Sequence, residues 1–97
     1  MEKEIIWSPT AKRTFAAVIE YLAEEWTEKE VFRFVARTEK ILSLISTGNV
    51  QFRSAGKRSI YETLVTKHNL LIYRIHKNRL ELLRFYDTRQ NPKRKKI

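Results

Sequence analysis

Arg89 stands in the run Asp87-Thr88-Arg89-Gln90-Asn91-Pro92, which is followed by Lys93-Arg94-Lys95-Lys96. A guanidinium offers a planar fork of N–H donors that matches a carboxylate or a phosphate, so this stretch can grip an anion or neutralise developing charge. Asp87, two residues before Arg89, brings a local ion pair within reach. Lys67-His68 supplies two further basic groups, and an imidazole, titrating near pH ~6.5, is the usual proton carrier. Both His68 and His76 fall at expected turns, where a solvated side chain is the simpler reading. The terminal basic run likewise reads most simply as a solubilising tail. The two histidines and the few acids of the C-terminal half show no metal-ligand spacing, and Gly48 and Gly56 alone build no phosphate loop. With no cysteine, disulfides and thiolate sites are excluded, and neither metal nor cofactor is expected.

The charge is unevenly placed. Residues 1–52 carry seven Lys/Arg against eight Glu, whereas residues 53–97 carry thirteen against three acids, so the formal +9 resides in the second half. Such a field favours an anionic partner and makes the attachment salt-dependent. At 97 residues the chain has room for one domain, expected to bury roughly 60–70% of its unfolded surface. That domain is read as 1–92, with 93–97 as a basic tail. The start Met1-Glu2-Lys3-Glu4 lacks the features of a signal peptide, and no apolar run approaches the ~20 residues that cross a bilayer. A cytoplasmic location without a membrane partner is therefore expected.

These groups need a scaffold, and the hydrophobic pattern supplies one. Glu4-Ile5-Ile6-Trp7 is β-prone, and Ser8-Pro9 offers an N-cap oxygen and a proline preset for the first helical position. Phe15, Val18, Ile19, Leu22 and Trp26 then recur along one helical stripe, which reads as core. Thr27-Glu28-Lys29-Glu30 has capping-box spacing and opens a second helix, whose stripe Val31, Phe34/Val35, Thr38, Ile41/Leu42 and Ile45 runs to a stop at Thr47-Gly48-Asn49. A polar connector spans Val50 to Lys57. Three β-prone runs follow, Ser59–Thr66, Leu70–His76 and Leu80–Tyr86, separated by Lys67-His68 and Lys77-Asn78. The expected fold class is α+β: an N-terminal strand, a helical hairpin, and a three-stranded antiparallel meander packed on the helices.

A two-residue turn at Lys77-Asn78 sets Arg74 opposite Glu81, Tyr73 opposite Leu82, Ile72 opposite Leu83 and Leu70 opposite Phe85. Leu71, Tyr73, Ile75, Leu80 and Leu82 then share the core face. The other face is expected to carry Tyr61, Thr63, Val65, Leu70, Ile72, Leu83, Phe85 and Asp87, an apolar surface that calls for a covering partner.

Ile6-Trp7-Ser8-Pro9-Thr10-Ala11, His68-Asn69-Leu70-Leu71-Ile72-Tyr73-Arg74-Ile75 and Phe85 to Pro92, in this order and spacing, resemble the RelE/ParE toxin superfamily over nearly the whole chain. The closing motif of that family, H-T-R-Q-N-P, has His where this chain has Asp87. The resemblance implies the toxin of a type II toxin-antitoxin pair, neutralised by a cognate antitoxin. RelE-like members cleave mRNA on the ribosome without a metal; ParE-like members inhibit DNA gyrase without cutting RNA.

RelE-like ribonucleases usually place an Arg directly after the turn, on the outer face of the strand ending in the family Tyr. Leu70 holds that position here, with Thr63, Val65 and Phe85 expected as its outer-face neighbours. An apolar patch cannot stabilise a phosphorane, so the ParE-like reading is preferred and the metal-independent endoribonuclease is the alternative. Arg89 is the best catalytic candidate if the chain is a nuclease. Arg58, Lys67, His68, Arg89, Lys93 and Arg94 are the candidates for contact with the target, gyrase or ribosome and mRNA, and Tyr61, Val65, Leu70 and Phe85 for contact with the antitoxin. A further alternative is a non-toxic nucleic-acid-binding module in which Tyr61 or Phe85 stacks on bases.

Overall fold

A computed structural model describes residues 2–48, 53–54, 56 and 59–89. Strand β1 (Glu4–Trp7) leads through Ser8 into α1 (Pro9–Glu25). The Ser8 Oγ accepts from the Ala11 amide at 3.0 Å while Pro9, lacking an N–H, occupies a position that needs none. Thr27 caps α2 (Glu28–Ser46), its hydroxyl accepting from the Glu30 amide at 3.3 Å. Only this arm of the expected capping box is seen. The Glu30 carboxylate turns instead to Arg33 Nη1 at 3.4 Å and Arg89 Nη2 at 3.8 Å. Gly48, at φ 79°, takes the left-handed conformation that ends α2.

The remaining strands are β2 (Arg53–Ser54), β3 (Ile60–Leu64), β4 (Asn69–His76) and β5 (Arg79–Asp87), in the sheet order β1-β5-β4-β3-β2. The meander β3-β4-β5 is antiparallel as expected. The first strand joins it in parallel with β5, with Ile5 opposite Leu80, and β2 adds two residues from the connector at the other edge. Both helices cover one face of this mixed sheet, so the fold is α+β. Val18 and Leu22 of α1 and Phe34, Leu42 and Ile45 of α2 bury against Leu71, Tyr73, Leu80, Leu82 and Phe85. Trp7, Phe15 and Phe34 surround Phe85, with ring centroids 5.6, 5.0 and 6.0 Å from it. Rings in contact at these separations add about 0.5–1.5 kcal/mol per pair to the burial of their surface.

Two features overturn the expected face assignment. Near the Lys77-Asn78 turn the register holds, with Arg74 opposite Glu81 and Tyr73 opposite Leu82. Beyond Tyr73 it shifts: Ile72 faces Arg84, Leu71 faces Phe85 and Leu70 faces Tyr86. Leu83 is thus an extra residue in β5, a bulge, and every later side chain changes face. Phe85 and Asp87, expected on the open face, are both 2% exposed beneath the helices.

The second feature is the β3–β4 loop. A two-residue turn at Lys67-His68 would set Thr63 opposite Ile72. The loop instead takes four residues, Val65 to His68, closed by the Val65 amide donating to the Asn69 carbonyl at 2.8 Å, and Thr63 faces Leu71. Tyr61, Thr63 and Val65 therefore turn inward with Tyr73, and Tyr61 stacks on Tyr73 at 5.6 Å. Of the four residues nominated for antitoxin contact, Val65 and Phe85 are buried and Tyr61 packs on the core, leaving Leu70 on the open face.

Candidate functional site

The inward turn of Asp87 creates a polar cluster at the end of β5. Its carboxylate, fully buried, accepts from the Arg89 backbone amide at 2.8 Å, from Arg89 Nε at 3.1 Å and from Arg89 Nη2 at 3.0 Å. The Asn69 amide donates a further hydrogen bond to Asp87 Oδ2 at 2.7 Å. Asn69 in turn accepts from the Thr66 hydroxyl, which itself accepts from the His68 amide at 3.2 Å, and the Thr88 amide reaches the His68 carbonyl at 2.8 Å. One carboxylate thus ties the β3–β4 loop to the segment that follows β5.

Burial pushes the Asp87 carboxyl pKa up, but hydrogen bonds from the Arg89 side chain and amide and from Asn69 outweigh it and, with the Arg89 charge, hold the group below its ordinary value. Arg89 is held above its own, chiefly by its hydrogen bond to Asp87 and against its burial, with the charges of Asp87 and Glu30 adding. The pair is ionised at neutral pH, and every buried side-chain polar atom among the described residues has a partner.

Arg89 also lays its guanidinium 4.5 Å over the Trp26 ring, a cation–π contact. Trp26 was expected in the buried stripe of α1. It lies one residue past that helix, donates from Nε1 to the Tyr21 hydroxyl at 3.3 Å and is 47% exposed. Beside it opens a cleft of about 650 Å³, lined on one side by Glu30, Arg33 and Arg37 of α2 and on the other by Leu64 and the loop residues Lys67 and His68, with Arg89 and Trp26 completing it. Folding therefore brings Lys67, His68 and Arg89 to one site. Arg58, Lys93 and Arg94 lie outside the described residues. Reading the sequence for function missed Trp26, Glu30, Arg33, Arg37 and Asn69. A usable signal existed for three of them, since positions 30, 33 and 37 share a helical stripe flanking the buried one.

Leu70 faces outward and is half-buried. Its strand neighbours are Leu64 and Tyr86, in place of the expected Thr63, Val65 and Phe85. Next along, Arg84 lies opposite Ile72, with its guanidinium 5.4 Å from the Tyr86 ring centroid. Among the described residues, no three His, Asp or Glu side chains gather as a metal-ligand set, and no helix is long and apolar enough to cross a membrane.

Over residues 5–92 the sequence matches the family described as the ParE toxin of the type II toxin-antitoxin system, parDE. The chain belongs to this ParE toxin family. Solved structures agree in fold. A chain of the chromosomal ParDE system from P. aeruginosa superposes with a TM-score of 0.71 at 9% identity, covering 89% of this chain and 96% of that one. The E. coli DinJ-YafQ toxin-antitoxin complex contains a chain with a TM-score of 0.63 at 10% identity, covering 94% of this chain and 98% of its own length. The YoeB dimer from Staphylococcus aureus gives 0.63 at 13% identity, over 87% and 94%. Among curated proteins none matches the sequence. The ParE-family chain accordingly carries the RelE/ParE-like fold that its motifs imply, and its closing motif is the part whose arginine is locked to Asp87.

Proposed function

We propose that this chain is the toxin of a type II toxin-antitoxin module, that it acts by binding and inhibiting DNA gyrase, and that a small acidic protein encoded beside it is its antitoxin. One observation carries the choice of mechanism: Arg89, the best candidate for stabilising a cleavage transition state, has its donor fork committed to Asp87 and a second carboxylate, Glu30, 3.8 Å away. A guanidinium so compensated has little charge left to place on a phosphorane, whereas a binding surface needs no such free charge. Leu70, where RelE-like ribonucleases carry Arg, supports the same reading.

The test compares inhibition of gyrase supercoiling by the purified chain with mapping of breaks in translated mRNA on ribosomes. Inhibited supercoiling with intact mRNA is the expected result. Cleavage of translated mRNA that is lost on Arg89→Ala would overturn it.

A second reading, ribosome-dependent mRNA cleavage, is favoured by the open sheet face, where the Arg84 cation lies 5.4 Å from the Tyr86 ring centroid beside Leu70. A phosphate-neutralising cation and a phenol are groups such chemistry uses. On this reading breaks would disappear with Arg84→Ala while gyrase remained fully active in the presence of the toxin.

A further inference from the structure

The cleft between α2 and the β3–β4 loop has two properties that the Asp87–Arg89 pair does not use. Trp26 and Leu64, both lining it, leave 47% and 57% of their surfaces exposed, large apolar areas to present to water. Its charges also fail to balance. Arg89 is compensated by Asp87, and Arg33 is paired with Glu30 at 3.4 Å. Arg37 and Lys67, both exposed, have no acidic partner among the described residues.

We infer that this cleft docks an acidic peptide segment of the antitoxin, placing an apolar side chain against Trp26 and Leu64 and carboxylates at Arg37 and Lys67; this rests on the reading of the chain as an antitoxin-neutralised toxin. The volume of about 650 Å³ suits a few side chains of a bound segment. A peptide fits the pattern better than a nucleic acid for three reasons. Leu64 is an aliphatic rim for which a sugar-phosphate backbone has no complement. One face of the Trp26 ring already carries the Arg89 guanidinium and is closed to a stacking base. Glu30 in the lining repels a continuous run of phosphates, while a peptide can set isolated carboxylates at the two uncompensated cations only.

The experiment measures binding of the full chain to the neighbour-encoded acidic protein, by calorimetry at low and moderate salt, for wild type, Arg37→Glu/Lys67→Glu, Leu64→Ser and the control Lys12→Glu. The substituted residues are exposed, and thermal unfolding verifies that each variant is folded. Expected are about tenfold weaker binding for the double reversal, a loss of similar size for Leu64→Ser, and no change for the control, which does not line the cleft. Tight binding that is unaffected by the double reversal and by Leu64→Ser overturns the docking site and leaves the toxin-antitoxin reading intact. Failure of the wild-type chain to bind the neighbour overturns both. A twelve-nucleotide uridine RNA is run in parallel, and RNA binding that depends on Arg37 and Lys67 when antitoxin binding does not assigns the cleft to nucleic acid and overturns the proposal.

Discussion

Arg89 grips Asp87 through three hydrogen bonds, one from its backbone amide at 2.8 Å and two from its guanidinium at 3.1 and 3.0 Å. The carboxylate is wholly buried and the guanidinium nearly so, at 16% side-chain exposure. Removing one member of a buried pair strands the other, typically at about 3–5 kcal/mol. Asp87→Ala also leaves the Asn69 amide without its acceptor. We expect it to lower unfolding free energy by about 3 kcal/mol in urea titrations, with Asp87→Asn losing about half as much because it can still accept from Asn69 or Arg89.

Acid should act through the same carboxylate. Its pKa is lower in the folded chain than in the unfolded one, where an aspartate titrates near ~3.9. Below that unfolded value the unfolded state takes up a proton that the folded state resists. The contribution of Asp87 is therefore complete above about pH 5 and disappears as pH falls through the folded pKa. Urea midpoints of wild type and Asp87→Asn at about pH 6 and about pH 3 check this, with the gap between them shrinking at the lower pH. A gap that widened on acidification would reverse the sign assigned to the shift.

The Leu83 bulge decides what β5 presents to the helices. Inserting one alanine after Leu83 shifts the pairing beyond the bulge by one residue and turns Phe85 and Asp87 onto the open face. Cooperative unfolding should be lost, or the added residue absorbed in a wider bulge with a stability loss above about 3 kcal/mol, whereas Leu83→Ala, keeping the residue count, should lose about 1 kcal/mol. Near-ultraviolet circular dichroism would report the loss of the packed aromatic cluster.

Phe85 joins rings from β1, α1 and α2, so its truncation opens a cavity that no single element can close. Phe85→Ala should destabilise by about 3–5 kcal/mol, and Phe85→Leu by about 1–1.5 kcal/mol. Thermal unfolding measures both; an effect under about 1 kcal/mol for the alanine variant would place the ring outside the core.

Local chemistry determined much of this protein from sequence alone. Ser8, Pro9, Thr27 and Gly48 act on backbone groups within a turn of themselves, so both helices begin, and α2 ends, where those residues stand. Arg74 opposite Glu81 follows from the Lys77-Asn78 turn a few residues away, and the three motifs that signal the family are contiguous runs. The faces of β3 and of the end of β5 were decided by tertiary structure. A four-residue loop and a one-residue bulge each flip a strand's side chains, and both are compatible with the same alternation of apolar residues. What selects them is the burial of Phe85 among rings from three other elements and the pairing of Asp87 with Asn69 and Arg89, contacts that exist only once the chain has folded. The cleft has the same origin: Trp26, Arg37, Lys67 and Arg89 are far apart in sequence and meet only where α2 packs beside the β3–β4 loop.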